Sequence, residues 1–187
     1  MKKILTICFF FVFGTSVLAH STKNINIDIR AECKKSKSVL NWVSKNKLSK
    51  GGELIKFKSF SGFDQRTVLT DGHKKNPIEI TGYLQLPEGS SKVPIVIWTH
   101  SSGGPGEYVW NDFVYHGTRN LIDAGIGVMY VDNFCHRGAK DTWRDQSKVP
   151  LINGAIDAIM AYKLLQSHPR SNGKFGTTCC SKLSVRP

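Results

Sequence analysis

Apolar and polar positions alternate with two distinct periods along the chain from residue 53 onward, and those periods predict the elements. Ile78-Glu79-Ile80-Thr81-Gly82-Tyr83-Leu84 places apolar and polar side chains in turn, as a half-buried strand requires, and Pro87-Glu88-Gly89 closes it. Upstream, Leu54, Phe57 and Phe60 mark a first strand, and the intervening Asp71-Gly72 is a turn signal, so the two strands are expected as an antiparallel hairpin. Val93 to Trp98 is apolar on both faces, which predicts a strand covered on both sides. Tyr108 to Ala124 then carries Val109, Phe113 and Leu121 at helical spacing, with Gly125 as its stop. Gly127 to Val131 is a second buried strand. Leu151 to Ser167 reads as a helix whose apolar face is Ile152, Ile156, Ile159, Leu164 and Leu165, with Pro169 beyond its end. Phe175-Gly176-Thr177-Thr178 opens a third strand. Strand, helix, strand, helix, strand predicts parallel pairing through right-handed crossovers. The expected class is therefore α/β: an antiparallel N-terminal hairpin followed by parallel strands with crossover helices.

The residues before this region have a different texture. Lys2 and Lys3 precede an apolar run from Ile4 to Phe13, and Val17-Leu18-Ala19 supplies a cleavage point before His20. This is the layout of a secretory leader, so residues 1–19 are expected to be a signal peptide and the product secreted or periplasmic. The apolar run is shorter than the roughly 20 residues that span a bilayer. No stable membrane anchor is expected after cleavage, an uncleaved N-terminal anchor being the alternative. Residues 20–51 form a basic, polar lead-in in which Val39, Leu40, Trp42 and Val43 suit one short amphipathic helix ending near Gly51-Gly52. Residues 52–187 make up the domain proper.

Composition narrows the function classes. With 21% charged and 40% hydrophobic residues among 187, the chain has the make-up of one globular domain and not of a disordered one. The net charge of +12 is concentrated in Lys34, Lys35, Lys37, Lys45, Lys47, Lys50, Lys56 and Lys58. These are lysines without interleaved aromatics or a recognisable nucleic-acid module, so no specific nucleic-acid partner is expected. Loss of the leader removes Cys8 and leaves Cys33, Cys135, Cys179 and Cys180, an even number that permits disulfides without naming a pairing. Adjacent Cys179 and Cys180 are awkward partners for each other. No Cys/His spacing suits zinc, and neither a metal nor another cofactor is expected.

In open α/β sheets ligands bind outside the carboxyl ends of the strands, which directs attention to three loops. They carry His100-Ser101-Ser102-Gly103-Gly104-Pro105-Gly106, Asp132-Asn133-Phe134-Cys135-His136-Arg137-Gly138, and Cys179-Cys180-Ser181-Lys182. In the first loop, glycines allow close backbone approach, and backbone N–H groups can stabilise a developing oxyanion. A tight turn into a helix is the simpler alternative.

Three stretches together resemble the dienelactone hydrolase relatives among the α/β-hydrolases. P-I-V-I-W-T-H-S-S-G-G, within Val93 to Gly104, is similar to the oxyanion strand and loop, usually H-G-x-G-G, with Ser101 in place of the first Gly. Asp132 to Gly138 resembles the segment D-S-F-x-x-R-G. Lys174 to Ser184, K-F-G-T-T-C-C-S-K-L-S, resembles a strand and nucleophile elbow of the form R-I-G-V-T-G-x-S-x-G-G, with Cys179 and Leu183 in both elbow Gly positions. The resemblance spans roughly residues 52 to 184.

It implies a carboxylic ester or lactone hydrolase acting on a small-molecule substrate through an acyl-enzyme. Ser181 would be the nucleophile, with Cys180 as runner-up, and backbone N–H groups at Ser101, Ser102 and Lys182 would form the oxyanion hole. His100 would support the oxyanion loop. Arg137 would either anchor a carboxylate substrate or pair with an Asp within the structure. Relatives place the triad acid and histidine after the nucleophile, whereas His100, His116, His136 and His168 all precede Ser181. The expectation is thus the front portion of a hydrolase, inactive as these 187 residues stand. The alternative is a non-catalytic secreted fragment or basic binding module.

Overall fold

The computed structural model describes residues 52–105 and 112–179. Strands β1 (Glu53–Phe60) and β2 (Pro77–Gln85) pair antiparallel from Glu53 opposite Leu84 to Phe60 opposite Pro77, giving the expected hairpin. Its connection contains a short helix, α1 (Gln65–Leu69), and a 3-10 turn at Gly72–Lys75. Asp64 caps α1 by accepting the Thr67 N–H at 2.7 Å, and Asp71 supplies the left-handed turn residue with φ 57°.

The rest follows the predicted alternation: β3 (Val93–Thr99), α2 (Asp112–Asp123), β4 (Gly127–Asp132), a 3-10 turn at Cys135–Arg137, α3 (Ile152–Gln166) and β5 (Ser171–Cys179). The result is a mixed five-stranded sheet in the order β1-β2-β4-β3-β5. β2 and β4 are antiparallel, while β3 runs parallel to both β4 and β5. α2 ends as its glycine predicts. Gly125 takes φ 78°, its N–H donates to Ile122, and the Ile126 N–H donates to Leu121.

The main core joins Phe57, Ile80, Leu84, Ile95, Ile97, Met129 and Val131 of the sheet to Ala161 and Leu165 of α3. Every residue of β4 is buried, in keeping with its uninterrupted apolar run. In β1 the inward positions are Ile55, Phe57 and Ser59, while Leu54 is exposed, the faces of a strand alternating by two. One sequence reading is corrected here. In α3, Ile159 is 52% exposed. Ile156 and Leu165 are buried as expected, in a stripe completed by Asn153, Asp157 and Ala161, two of them polar.

Candidate active site

The loops after β3 and β4 lie at the carboxyl end of the sheet and are bonded to each other. β5 leaves the sheet at that same end, since Cys179 stands in register with Thr99. His100, only 5% exposed, joins the two loops. Its Nε2 accepts the Asn133 backbone N–H at 3.1 Å, and its Nδ1 lies 2.8 Å from the Ser101 carbonyl oxygen. With Nε2 accepting, the proton sits on Nδ1 and is donated to Ser101, which fixes the neutral tautomer. Burial pushes the His100 pKa down to about 4, although the Ser101 carbonyl acts the other way. The Phe134 ring packs against the imidazole edge to face, with centroids 4.4 Å apart.

A second tie runs between the same strand ends. The Thr142 N–H donates to the Ser102 carbonyl at 2.8 Å, and the Gly104 N–H donates to Ser101. Gly104 has φ 77°, and a Cβ there would sit 2.1 Å from the Lys140 carbonyl oxygen. Glycine is required twice over, by conformation and by space. Both residues expected to frame the oxyanion hole from this loop, Ser101 and Ser102, are half-buried, and no described residue accepts the Ser102 N–H.

Arg137 has its side chain turned inward, at 7% exposure, against fully buried Asp157. Its Nη1 and Nη2 donate to Asp157 Oδ2 and Oδ1 at 2.7 and 3.0 Å, a two-pronged pair. The remaining donors reach Ser61 Oγ, the Asn133 carbonyl and the Phe60 carbonyl. Asp157 also accepts from Ser59 Oγ at 2.5 Å and from Asn133 Nδ2 at 2.8 Å. Of the two roles open to Arg137, the geometry therefore gives the pairing with an Asp. One buried network links the end of β1, the loop after β4 and α3. Asn153 adds a second link, accepting the Gly62 N–H and donating to the Gly62 carbonyl.

Asp132, the last residue of β4, is fully buried. Its Oδ1 accepts the N–H groups of Phe134 and Cys135, while Oδ2 has no partner among the described residues. Burial pushes its carboxyl up to about 6, the two N–H bonds oppose that shift, and the nearby Asp157 adds to it. Cys135, 1% exposed, is disulfide-bonded.

Ser181, Cys180 and Lys182 lie outside the described residues. Several histidines are engaged elsewhere. His136 Nε2 is 2.9 Å from Thr81 Oγ1, with burial lowering its pKa, and His168 Nδ1 accepts the Arg170 N–H. The sequence reading did not single out Ser59, Asn153 or Asp157. The signal available for the last two was a pair of polar residues four apart on an otherwise apolar helix face. No group of three or more His, Cys, Asp or Glu able to hold a metal occurs among the described residues.

No family model and no curated protein matches the chain. Solved structures of α/β-hydrolases, several of them dienelactone hydrolases, match it distantly and over part of its length. A dienelactone hydrolase from Anabaena variabilis is 15% identical, with 67% of this chain and 51% of that one covered and a TM-score of 0.43. A hyperthermophilic esterase from Pyrobaculum calidifontis is 19% identical, with 82% and 42% covered and a TM-score of 0.40. A dienelactone-hydrolase-like promiscuous phosphotriesterase from metagenomic libraries is 17% identical, with 68% and 48% covered and a TM-score of 0.38. The chain spans between 36% and 51% of the length of these and the other structures first in similarity.

Proposed function

We propose that the chain is part of a carboxylic ester or lactone hydrolase acting through an acyl-enzyme, with Ser181 as its nucleophile. The observation that carries this reading is the braced Ser101–Gly104 loop at the carboxyl end of β3. Its backbone carbonyls accept from His100 and Thr142, the Lys140 carbonyl packs closely on Gly104, and the Ser102 N–H is left without an acceptor among the described residues. Such a preorganised donor stabilises an oxyanion without reorganising during reaction. Ser181 belongs to the segment that follows β5, whose backbone leaves the sheet at this same end. The substrate class is a small ester or lactone, and no metal or organic cofactor has a part in the reading. Export with cleavage after Ala19 belongs to the same proposal and rests on the leader-like layout of residues 1–19.

The 187 residues by themselves are expected to turn over esters at close to the uncatalysed rate, because His100, His136 and His168 hold structural hydrogen bonds instead of activating a serine. The test is hydrolysis of p-nitrophenyl acetate and a dienelactone, with and without added imidazole as an external base. Imidazole should raise the rate of the natural sequence above that of Ser181→Ala. Equal imidazole-dependent rates in the two would overturn the hydrolase reading. Rapid turnover without imidazole, abolished by Ser181→Ala, would overturn the expectation of low activity.

A further inference from the structure

Two ionisable side chains hold the first three backbone N–H groups of the loop after β4. His100 Nε2 accepts the Asn133 N–H, and Asp132 Oδ1 accepts those of Phe134 and Cys135. Both side chains are buried, and they differ in where an added proton goes. In Asp132 the bonds fall on Oδ1, while Oδ2 has no partner among the described residues. A proton on Oδ2 therefore leaves both N–H bonds in place. In His100 the proton already on Nδ1 is given to the Ser101 carbonyl, so a second proton has only Nε2 to go to. Nε2 then becomes a donor facing the Asn133 N–H across 3.1 Å, and that bond is lost.

The charged groups around the pair do not favour an imidazolium. On the loop after β4, Arg137 opposes a positive charge on His100, and His136 is turned to Thr81. Asp132 supplies no counter-charge once the pH has fallen below about 6. On α3, Asp157 is taken up by Arg137, Ser59 and Asn133. Burial thus delays protonation of His100 until about pH 4. When the Asn133 bond breaks, a second tie between the loops remains, from the Thr142 N–H to the Ser102 carbonyl.

We propose that His100 is an acid-released latch between the loops after β3 and β4. Neutral, it clamps the two together; protonated at Nε2, it lets the Asn133 end go while the Thr142–Ser102 bond stays closed as a hinge. Asp132 holds the Phe134 and Cys135 amides in either of its own protonation states, so the release is confined to one bond. The latch rests on the proposed hydrolase reading only for its consequence, the loss in acid of a fixed Ser102 N–H. The release itself concerns the two loops whatever they bind.

Amide hydrogen exchange of the full chain, followed by NMR from pH 7 to 3 and corrected for the intrinsic pH dependence of exchange, reads the latch directly. Protection at Asn133 should fall by about tenfold for each pH unit below the His100 titration, as the neutral imidazole is depleted, and recover on return to pH 7. Phe134, Cys135 and Thr142 should keep their protection over the same range. The His100 ring should carry a proton on Nδ1 alone at pH 7 and on both nitrogens at pH 3. In His100→Gln the side-chain carbonyl takes the place of Nε2 as acceptor and does not titrate, so Asn133 should stay protected throughout. In Asp132→Asn the fall at Asn133 should persist. On the natural sequence alone, three results would each overturn the proposal: undiminished protection at Asn133 at pH 3, simultaneous loss at Asn133, Phe134, Cys135 and Thr142, or a pH 7 ring proton on Nε2. An equal fall at Asn133 in a folded His100→Gln would do the same. Ester hydrolysis enters none of these readings, so a failed latch and a failed hydrolase reading are distinguishable.

Discussion

Asp157 is fully buried, and its charge is tolerable because Arg137, Ser59 and Asn133 surround it. Removing one member of such a pair leaves the other as an uncompensated buried charge, which costs about 3–5 kcal/mol. Asp157→Ala should therefore lower the free energy of unfolding in urea by that order, while a paired replacement of Arg137 and Asp157 by apolar residues should recover much of the loss. Asp132 and His100 give opposite dependences on pH. The Asp132 pKa rises from 3.8 unfolded to about 6 folded, so the native state holds a proton that the unfolded chain has released. Its contribution is present below about pH 4 and is lost as pH rises to about 6. The His100 pKa falls from 6.5 to about 4, so its contribution is present above pH 6.5 and is lost on acidification toward pH 4. Unfolding free energies measured across this range should separate the two. The advantage of the natural sequence over Asp132→Asn should shrink as pH rises from 4 to 6, by on the order of 3 kcal/mol. Its advantage over His100→Gln should shrink as pH falls.

At the scale of elements, function depends on two loops holding each other. The loop after β3 is tied to the loop after β4 by the Thr142–Ser102 and His100–Asn133 bonds, with the Lys140 carbonyl packed against Gly104. Gly104→Ala tests this directly, because the added methyl meets a backbone carbonyl that has no flexible way to yield. A strained backbone position of this kind costs about 1–3 kcal/mol. The expected outcome is a lowered melting temperature together with faster hydrogen exchange at the Thr142 amide, whose acceptor is the Ser102 carbonyl. Unchanged exchange at Thr142 would mean that the loops are not coupled. The pattern of elements was legible early: alternation by two in Ile78 to Leu84 and the apolar run of β4 each predict their strand. The inward face of β1 was not legible, because Leu54 and Phe60 are apolar and Ser59 is not. Ser59 is drawn inward by Asp157, a residue 98 positions away.

For the whole molecule, the mixed sheet divides into a hairpin half, β1 and β2, and a parallel half, β4, β3 and β5. The halves are joined by the β2–β4 pairing and by the buried network from β1 to α3. A disulfide at Cys135 adds a covalent constraint beside that junction. Removing a disulfide from a small domain typically costs about 2–5 kcal/mol. Reduced protein should therefore melt at a lower temperature than oxidised protein, and Cys135→Ser should melt with the reduced form and be insensitive to reductant. A Cys135→Ser variant that still responds to reductant would place the stabilising bond elsewhere.

What the sequence determined by itself was the class and order of the elements, because hydrophobic period and turn residues act locally. The strand periods, the Gly125 stop, the Asp71 turn and the gathering of chemistry at the carboxyl ends of the strands all follow from residues near one another in the chain. The roles of particular polar side chains did not. Arg137 had two readings on sequence, and only folding brought Asp157 within 2.7 Å of it, with Phe60 and Ser61 taking the donors left over. His100 was expected to support the oxyanion loop, but the Asn133 N–H that fixes its tautomer was brought to it only by folding. A buried polar atom must find its partner wherever the chain provides one, and here the partners lie tens of residues away. Only the tertiary structure decided which groups would meet.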